Sequence, residues 1–460
     1  MVPKFRFSLV IAARRRETFI LVVTAALVIG CDRADKIAAS AAAPILEDMA
    51  VSSALDFQHN SGATGEFYMP EIMGAGIALL DYDNDDDLDV FVLQGKPLDS
   101  KNSAAGATRG HHLFRNELNP SGSLRFTDVS RAAGIADTGY GMGVAVGDID
   151  NDGDPDLYLT HFGPNALYRN DGEGQFLKIT ESTTEDPGFG SSASFFDYDA
   201  DGLLDLVVVN YNSFAITNNQ TCRNAIGEPD YCDPLAYEPV LDKLYRNLGD
   251  GRFTDVTTET GLHEAFGTGL GVIAADLNAD GAQDLYVAND KMANIYWVND
   301  GAGRFRNEAL MAGAAYNADG VSEASMGVIA GDVDGDGDED LFMTHLTGQT
   351  NTLYLNDGSG RFRDATAQLN LGVGSLPYTG FGTVWIDYDN DSDLDLLIAN
   401  GAVAAQETIS NDREALFGQR NQLFRNDGSG RFVDISNSAG PPFEVSRISR
   451  GAAVGDIDND

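Results

Sequence analysis

The sequence predicts an all-β fold, a seven-bladed β-propeller with four short strands per blade and an incomplete seventh blade. Three observations predict it. A nine-residue acidic pattern, Asp-x-Asp/Asn-x-Asp-x-x-x-Asp, starts at Asp81, Asp148, Asp197, Asp276, Asp332, Asp387 and Asp456. Its mean spacing of about 62 residues marks a repeat architecture rather than separate domains. A second signature follows each complete copy: Leu113-Phe-Arg-Asn116, Leu167-Tyr-Arg-Asn170, Leu244-Tyr-Arg-Asn247, Ile295-Tyr-Trp-Val-Asn299, Leu353-Tyr-Leu-Asn356 and Leu423-Phe-Arg-Asn426. In most copies a Gly-rich turn such as Asn170-Asp-Gly-Glu-Gly174 comes next, then an aromatic residue: Phe126, Phe176, Phe253, Phe305, Phe362 or Phe432.

Each unit reads as four strands in order. The first is a Gly-rich apolar run that ends at the acidic loop, such as Gly141-Met-Gly-Val-Ala-Val-Gly147. A small residue stands five places before every loop start, at Gly76, Gly143, Ser192, Gly271, Gly327, Gly382 and Gly451. That suits an innermost strand crowded around an axis. The second strand is the apolar run after the loop, such as Leu157-Tyr-Leu-Thr160. The third carries the Leu-Tyr-Arg-Asn signature, and the fourth starts at the aromatic residue after the Asn-Asp-Gly turn. Short β-branched or aromatic runs bounded by turn residues are strands rather than helices. Similar units without long linkers favour a closed ring over an open array of hairpins.

Composition narrows the function. The chain has 460 residues, with 71 acidic and 30 basic side chains and a formal net charge of −41. That excludes a phosphate-backbone binder, which needs basic side chains. With 43% hydrophobic residues, 24 Phe and 16 Tyr, it is no disordered acidic tail either. The seven loop windows hold 32 of the 71 acids and no base, so most of the charge is local to the repeats.

Those loops carry the chemistry. Calcium takes six to eight oxygen ligands. Positions 1, 3, 5 and 9 of each loop supply side-chain oxygens, position 7 a backbone carbonyl, and a Gly at position 6 permits the turn. The expected ligands are Asp81, Asp83, Asp85 and Asp89; Asp148, Asp150, Asp152 and Asp156; Asp197, Asp199, Asp201 and Asp205; Asp276, Asn278, Asp280 and Asp284; Asp332, Asp334, Asp336 and Asp340; Asp387, Asp389, Asp391 and Asp395; and Asp456, Asp458 and Asp460. Asp86 and Ser392 replace the turn Gly in two of them. Solvated Asp-rich turns are the alternative, but clustered like charges repel without a cation. An EF-hand is rejected, since flanking helices and a Glu at position 12 are missing. The expectation is about six or seven Ca²⁺ sites.

The units resemble FG-GAP/VCBS repeats, the blades of the integrin-α propeller and of many bacterial surface proteins. The stretches Phe57-x-His59, Met69-Pro-Glu71-Ile-Met-Gly74-x-Gly76 and Cys222 to Tyr231-Cys232-Asp-Pro234 resemble ASPIC/UnbV-type proteins, related to cartilage acidic protein. Over residues 51–460 the resemblance implies a secreted, calcium-loaded seven-bladed propeller with no established enzymatic activity. Family members continue into a small ASPIC/UnbV domain, whereas this sequence stops inside the seventh loop and reads as a fragment.

The N-terminus reads as an address. Basic residues precede a short apolar run, Phe19 to Gly30, too short to span a bilayer but normal for a signal peptide. Val28-Ile-Gly-Cys31 resembles a bacterial lipobox, so residues 1–30 are assigned as a lipoprotein-type signal peptide with Cys31 as its lipidation site. Residues 31–50 read as a tether. The expected location is the periplasm or the bacterial cell surface, with membrane contact only through that anchor.

A partner is expected on the face opposite the acidic loops. The segments between second and third strands are longest at about 95–112, 211–242 and 401–421, and loops on a rigid scaffold are where binding lives. Tolerated decoration is the other reading. Thirteen residues after each loop start stand Gln94, His161, Asn210, Asn289, His345 and Asn400. They are read either as a polar ring around the channel mouth or as strand-end caps. Cys222 and Cys232 are expected to form a disulfide stapling the longest insertion rather than a metal pair. No catalytic motif is found. The leading reading is a non-catalytic binding or adhesion module for protein or glycan. The rival is a lyase-like polysaccharide-active enzyme, which His161, His345 and an Arg clustered in one groove would favour.

Overall fold

The apolar runs pair, in chain order, into six antiparallel four-stranded sheets. The computed structural model describes residues 10–11, 46–98, 110–224, 226–249, 251–404 and 416–459. Blade 1 comprises Ile77–Leu80, Asp89–Val92, His112–Asn116 and Phe126–Asp128. Blade 2 comprises Gly141–Gly147, Asp156–His161, Ala166–Asn170 and Phe176–Ile179. In blade 3 the strands are Gly190–Phe196, Asp205–Asn210, Lys243–Asn247 and Phe253–Asp255. In blade 4 they are Gly269–Ala275, Asp284–Asn289, Ile295–Asn299 and Phe305–Asn307. Blade 5 has Val328–Gly331, Asp340–Met343, Thr352–Asn356 and Phe362–Asp364. Blade 6 has Gly380–Ile386, Asp395–Asn400, Gln422–Asn426 and Phe432–Asp434. Second strands are buried on both faces, as Asp156–His161 and Asp205–Asn210 show. Their unbroken apolar runs therefore fit the sandwiching of each blade between two neighbours.

The core lies between blades. One cluster joins Phe91 and Leu113 of blade 1 to Leu159, Tyr168 and Phe176 of blade 2. Another joins Phe342 and Leu353 of blade 5 to Ile398 and Phe424 of blade 6. The Asn that ends the third strand adds a polar staple. Its side-chain amide donates to the carbonyl of loop position 2 in the preceding blade: Asn170 to Tyr82 (2.8 Å), Asn247 to Ile149 (2.7 Å), Asn299 to Tyr198 (2.9 Å), Asn356 to Leu277 (2.7 Å) and Asn426 to Val333 (3.1 Å).

Gly76, Gly143, Ser192, Gly271, Gly327, Gly382 and Gly451 all line one central channel of about 250 Å³. Close approach explains their size: a Cβ on Gly143 would lie 2.7 Å from the Ser191 carbonyl oxygen. Gly143→Val is therefore expected to cost about 1–3 kcal/mol by overpacking. An unchanged denaturant midpoint would contradict that crowding.

The described residues show six of the seven expected blades. A seventh four-stranded blade is not present among the described residues. Residues 450–459 instead lie between blades 6 and 1. Gly382 N donates to Arg450 O (2.6 Å), and the Asn116 amide donates to Ile457 O (2.9 Å). Residues 450–455 form no strand because no second strand pairs with them there. The end of the 31–50 segment packs on the fold. Leu46 is buried, and Glu47–Asp48 pairs antiparallel with Val10–Ile11. The rest of the 1–30 leader, Cys31, residues 32–45, Asp460 and the insertion residues 99–109, 225 and 405–415 lie outside the described residues. No helix among the described residues is long and apolar enough to cross a membrane.

Candidate cation sites and insertion face

The six complete loops share one backbone. Positions 4 and 6 both take left-handed φ: Asn151 and Gly153 (57° and 97°), Gly335 and Gly337 (76° and 94°), and, with side chains in place of Gly, Asn84 and Asp86 (59° and 69°) and Asn390 and Ser392 (57° and 76°). Loops 81–89 and 387–395 thus keep the turn at a conformational cost. The position-1 carboxylate accepts the N–H groups of positions 5 and 6. Asp148 takes them from Asp152 (3.1 Å) and Gly153 (2.9 Å), and Asp276 from Asp280 (3.0 Å) and Gly281 (2.9 Å). Position 5 accepts from position 7, as Asp154 N donates to Asp152 (3.0 Å). Asp81, Asp197, Asp332 and Asp387 repeat the first arrangement.

Position 9 is a clamp. In Asp156, Oδ2 accepts Ile149 N (2.9 Å) and Oδ1 accepts Asn170 N (2.7 Å), fastening the loop to the third strand. Asp89, Asp205, Asp340 and Asp395 do the same. Asp284 accepts Asn299 N (2.7 Å) and the Tyr296 hydroxyl (2.8 Å). The sequence pattern assigned position 9 only a ligand role.

Position 3 is different. The Oδ1 atoms of Asp83, Asp150, Asp199 and Asp389 are buried and accept no hydrogen bond. Signature arginines stand off the other oxygen: Arg169 Nη1 lies 3.7 Å from Asp150 Oδ2, and Arg425 Nη1 lies 3.9 Å from Asp389 Oδ2. In four loops three carboxylates bring one oxygen each within 4.8 Å: Asp81, Asp83 and Asp85; Asp148, Asp150 and Asp156; Asp197, Asp199 and Asp205; and Asp332, Asp334 and Asp336. An all-oxygen donor set with orphaned buried carboxylate oxygens fits a hard divalent cation such as calcium. In the remaining loops, Asn278 Oδ1 accepts Asp280 N (3.0 Å), and Asp456 accepts Asn459 N (2.9 Å).

Burial pushes the position-9 carboxyls up: Asp89 to about 8, Asp156, Asp205 and Asp340 to about 7, and Asp284 and Asp395 to about 6. Unfolded Asp titrates near 4. The metal-free fold therefore binds more protons than the unfolded chain. The resulting stability is complete below about pH 4 and is lost as pH rises through 6 to 8. Metal-stripped protein is expected to melt lower at pH 8.5 than at pH 5.5. With calcium the order should reverse, because ligands must be deprotonated. Melting curves at the two pH values check both signs.

The six strand-end residues form no open ring. Gln94, His161, Asn210, Asn289, His345 and Asn400 are all buried. Their backbone N–H groups donate to a side chain five places before the Asn that ends the third strand: His111 (3.0 Å), Asn165 (2.8 Å), Asp242 (3.0 Å), Asn294 (2.9 Å), Asn351 (2.9 Å) and Asn421 (3.0 Å). In five blades the capping side chain donates back to the residue before that partner. His161 reaches Pro164 O (2.8 Å), Asn210 Leu241 O (3.2 Å), Asn289 Ala293 O (2.8 Å), His345 Thr350 O (2.8 Å) and Asn400 Arg420 O (2.9 Å). These contacts are those of strand-end caps. His161 and His345 sit in blades 2 and 5 as caps. The capping partners were readable as polar residues five places before each signature Asn, but were missed.

His111, Asp137 and His161 converge in the interior, with the two Nε2 atoms 3.1 Å apart and each 3.7 Å from Asp137 Oδ1. The hydrogen bonds exclude a metal triad. Gln94 N–H donates to His111 Nδ1, so the neutral ring carries its proton on Nε2 and donates it to His161 Nε2. Burial pushes His111 down to about 3, which keeps that ring neutral.

The longest insertion is an integral lobe. Cys222 and Cys232 are joined by a disulfide. Tyr231 donates to Glu71 Oε2 (3.0 Å), and Asn219 donates to Glu66 O (3.0 Å), so the lobe reaches across to residues 66–71. Tyr211 donates to Asp290 of blade 4 (2.6 Å). Phe214 packs among Tyr68, Phe189 and Tyr237 beneath it. Leu235 and Phe266 remain 54% and 53% exposed on this end.

Six four-stranded blades with an acidic loop in each define the class. The FG-GAP-like repeat family matches residues 148–208, 235–287, 276–343 and 332–398, and the chain belongs to the FG-GAP propellers. Within that class it is related to cartilage acidic protein 1, as the ASPIC/UnbV resemblance implied. It is 25% identical over 348 residues to the Xenopus tropicalis protein and 25% identical over 342 residues to the Mus musculus protein. Both matches cover 72% of this chain and 49% of the relative, so the chain spans about half the length of the curated relatives it matches. Among solved structures it is similar to an Agrocybe aegerita lectin recognising non-reducing terminal N-acetylglucosamine, with 16% identity, TM-score 0.42, and 78% and 79% of the two chains covered. It is also similar to YCF48 bound to a D1 peptide, with 10% identity, TM-score 0.40, and 79% and 83% covered. Likeness of this size carries no argument about a ligand.

Proposed function

We propose that the chain is an exported, non-catalytic binding module: a calcium-loaded propeller ring of seven blade positions that presents its insertion end to a protein or glycan. One observation carries the calcium reading. The position-3 oxygens of Asp83, Asp150, Asp199 and Asp389 are buried without a hydrogen-bond donor, and the first three lie beside the carboxylates of position 1 and of position 5 or 9. A buried carboxylate oxygen in that state is costly unless a donor or a cation meets it. The seven small residues lining one channel support the ring count. The basic-apolar leader and the Cys222–Cys232 disulfide support export and, with the lipobox-like Cys31, anchoring. The exposed apolar Leu235 on the disulfide-stapled lobe, and Phe266 in the connection between blades 3 and 4 at the same end, support binding there.

A glycan array and a protein pull-down, each run with calcium, test the binding reading. Leu235→Asp and Phe266→Asp are expected to abolish capture while leaving the melting temperature unchanged. Capture retained by both variants moves the site off this end.

A further inference from the structure

Each complete blade carries one arginine in a single cross-strand pair beside the signature Asn. In four blades it is the signature residue itself: Arg115, Arg169, Arg246 and Arg425, opposite Thr127, Leu177, Thr254 and Val433. Blades 4 and 5 have Val298 and Leu355 at that place, and the arginine stands across the pair, as Arg306 and Arg363. Residues directly opposite share one face of a sheet. The charge therefore keeps its place while the strand that supplies it changes.

That place adjoins loop position 3. Arg169 Nη1 lies 3.7 Å from Asp150 Oδ2, and Arg425 Nη1 lies 3.9 Å from Asp389 Oδ2. These are distances of charge attraction, too long for a hydrogen bond, and the buried Oδ1 of each aspartate stays unmet. Burial pushes the carboxyls of Asp83, Asp150, Asp199, Asp334 and Asp389 up. In each, the blade's own arginine opposes that rise, Arg363 on the fourth strand included. Blade 4 is the internal control. Its position 3 is the neutral Asn278, and Arg306 turns to Glu308 instead (3.5 Å). Arg115 and Arg363 are shared with other partners, Glu117 Oε1 (2.8 Å) and Gln368 Oε1 (2.7 Å). Among the described residues, Arg169 and Arg425 are the two arginines within 4 Å of a position-3 carboxylate.

We infer that this arginine is a built-in counter-cation for position 3: it partners the carboxylate in the metal-free loop and weakens the hold on an entering ion, so that the loops of blades 2 and 6 fill last as calcium rises. The inference rests on the calcium reading above. The guanidinium takes the Oδ2 side and leaves Oδ1 for the ion. Arg169 and Arg425 are 43% and 44% exposed and make no hydrogen bond to the aspartate, so they turn out to water as the ion enters and do not block it. The repulsion between one positive charge and a divalent ion across that short gap amounts to about a tenfold change in affinity. The ring then has a tight class of sites and a weaker pair that responds to the ambient calcium level.

Two measurements on the full chain test it. In calcium titration calorimetry, Arg169→Met with Arg425→Met is expected to tighten two sites by about tenfold and to leave the number of ions unchanged. Arg306→Met, whose loop has Asn278, is expected to change no affinity. Unchanged or weaker binding in the double variant, or equal tightening by Arg306→Met, overturns the counter-cation role. In chelator, the double variant is expected to lower the urea midpoint by on the order of 0.1 M. The same two substitutions should leave it unmoved in a chain that already carries Asp150→Asn and Asp389→Asn. Equal shifts in the two backgrounds, or none in either, overturn the pairing with position 3. A chain that takes up no calcium defeats the calcium reading, and the chelator comparison still decides the pairing.

Discussion

Removing calcium is expected to lower the melting temperature by on the order of 15 °C. A site held at one hundred times its Kd contributes about 2.7 kcal/mol to the folded state. Six such sites contribute about 16 kcal/mol, and a chain of this size unfolds with an entropy that converts about 1 kcal/mol into about 1 °C. The physical source is the loop geometry. Position 1 is saturated by the backbone, position 9 clamps the third strand, and position 3 has a buried oxygen with no protein donor. Without a cation the loops keep their turns but carry unscreened charge against the sheet ends. Differential scanning calorimetry with and without chelator reads the shift. Coincident transitions would sink the calcium reading.

The second large effect separates ligand from clamp. Asp150→Ala removes a position-3 oxygen that nothing in the protein donates to. In calcium it should cost about 2–3 kcal/mol, the value of one site. After chelation it should cost almost nothing. Asp156→Ala removes the acceptor of Ile149 N and Asn170 N. Each buried N–H left unmet costs about 1–3 kcal/mol, so a loss of about 3–5 kcal/mol should persist in chelator. Urea unfolding of both variants in both buffers gives the four values. Equal losses for both variants in chelator would contradict the division of roles.

The repeat was legible because its carriers are side chains of fixed type. The acidic positions, the Leu-Tyr-Arg-Asn signature and the small residues at the channel all read directly from the residue letters. What was not legible involves backbone partners. The Asn staple reaches a position-2 carbonyl, which can belong to Tyr82, Ile149 or Leu277 alike. The position-9 Asp looks like one more ligand until its N–H donors are seen. The strand-end residues suggested a ring because polar side chains at one register look like a surface, whereas here they cap the turn into the third strand. The lobe at 211–242 read as a detachable loop, but its contacts to Glu66, Glu71 and Asp290 make it part of the fold.

The central claim is that the loops are cation sites, and a count of bound ions tests it most directly. The folded chain, equilibrated at a buffered free calcium concentration well above Kd and analysed for metal per polypeptide, should carry six ions, or seven if the 456–460 loop is filled. A chain that stays folded with fewer than six would contradict the account.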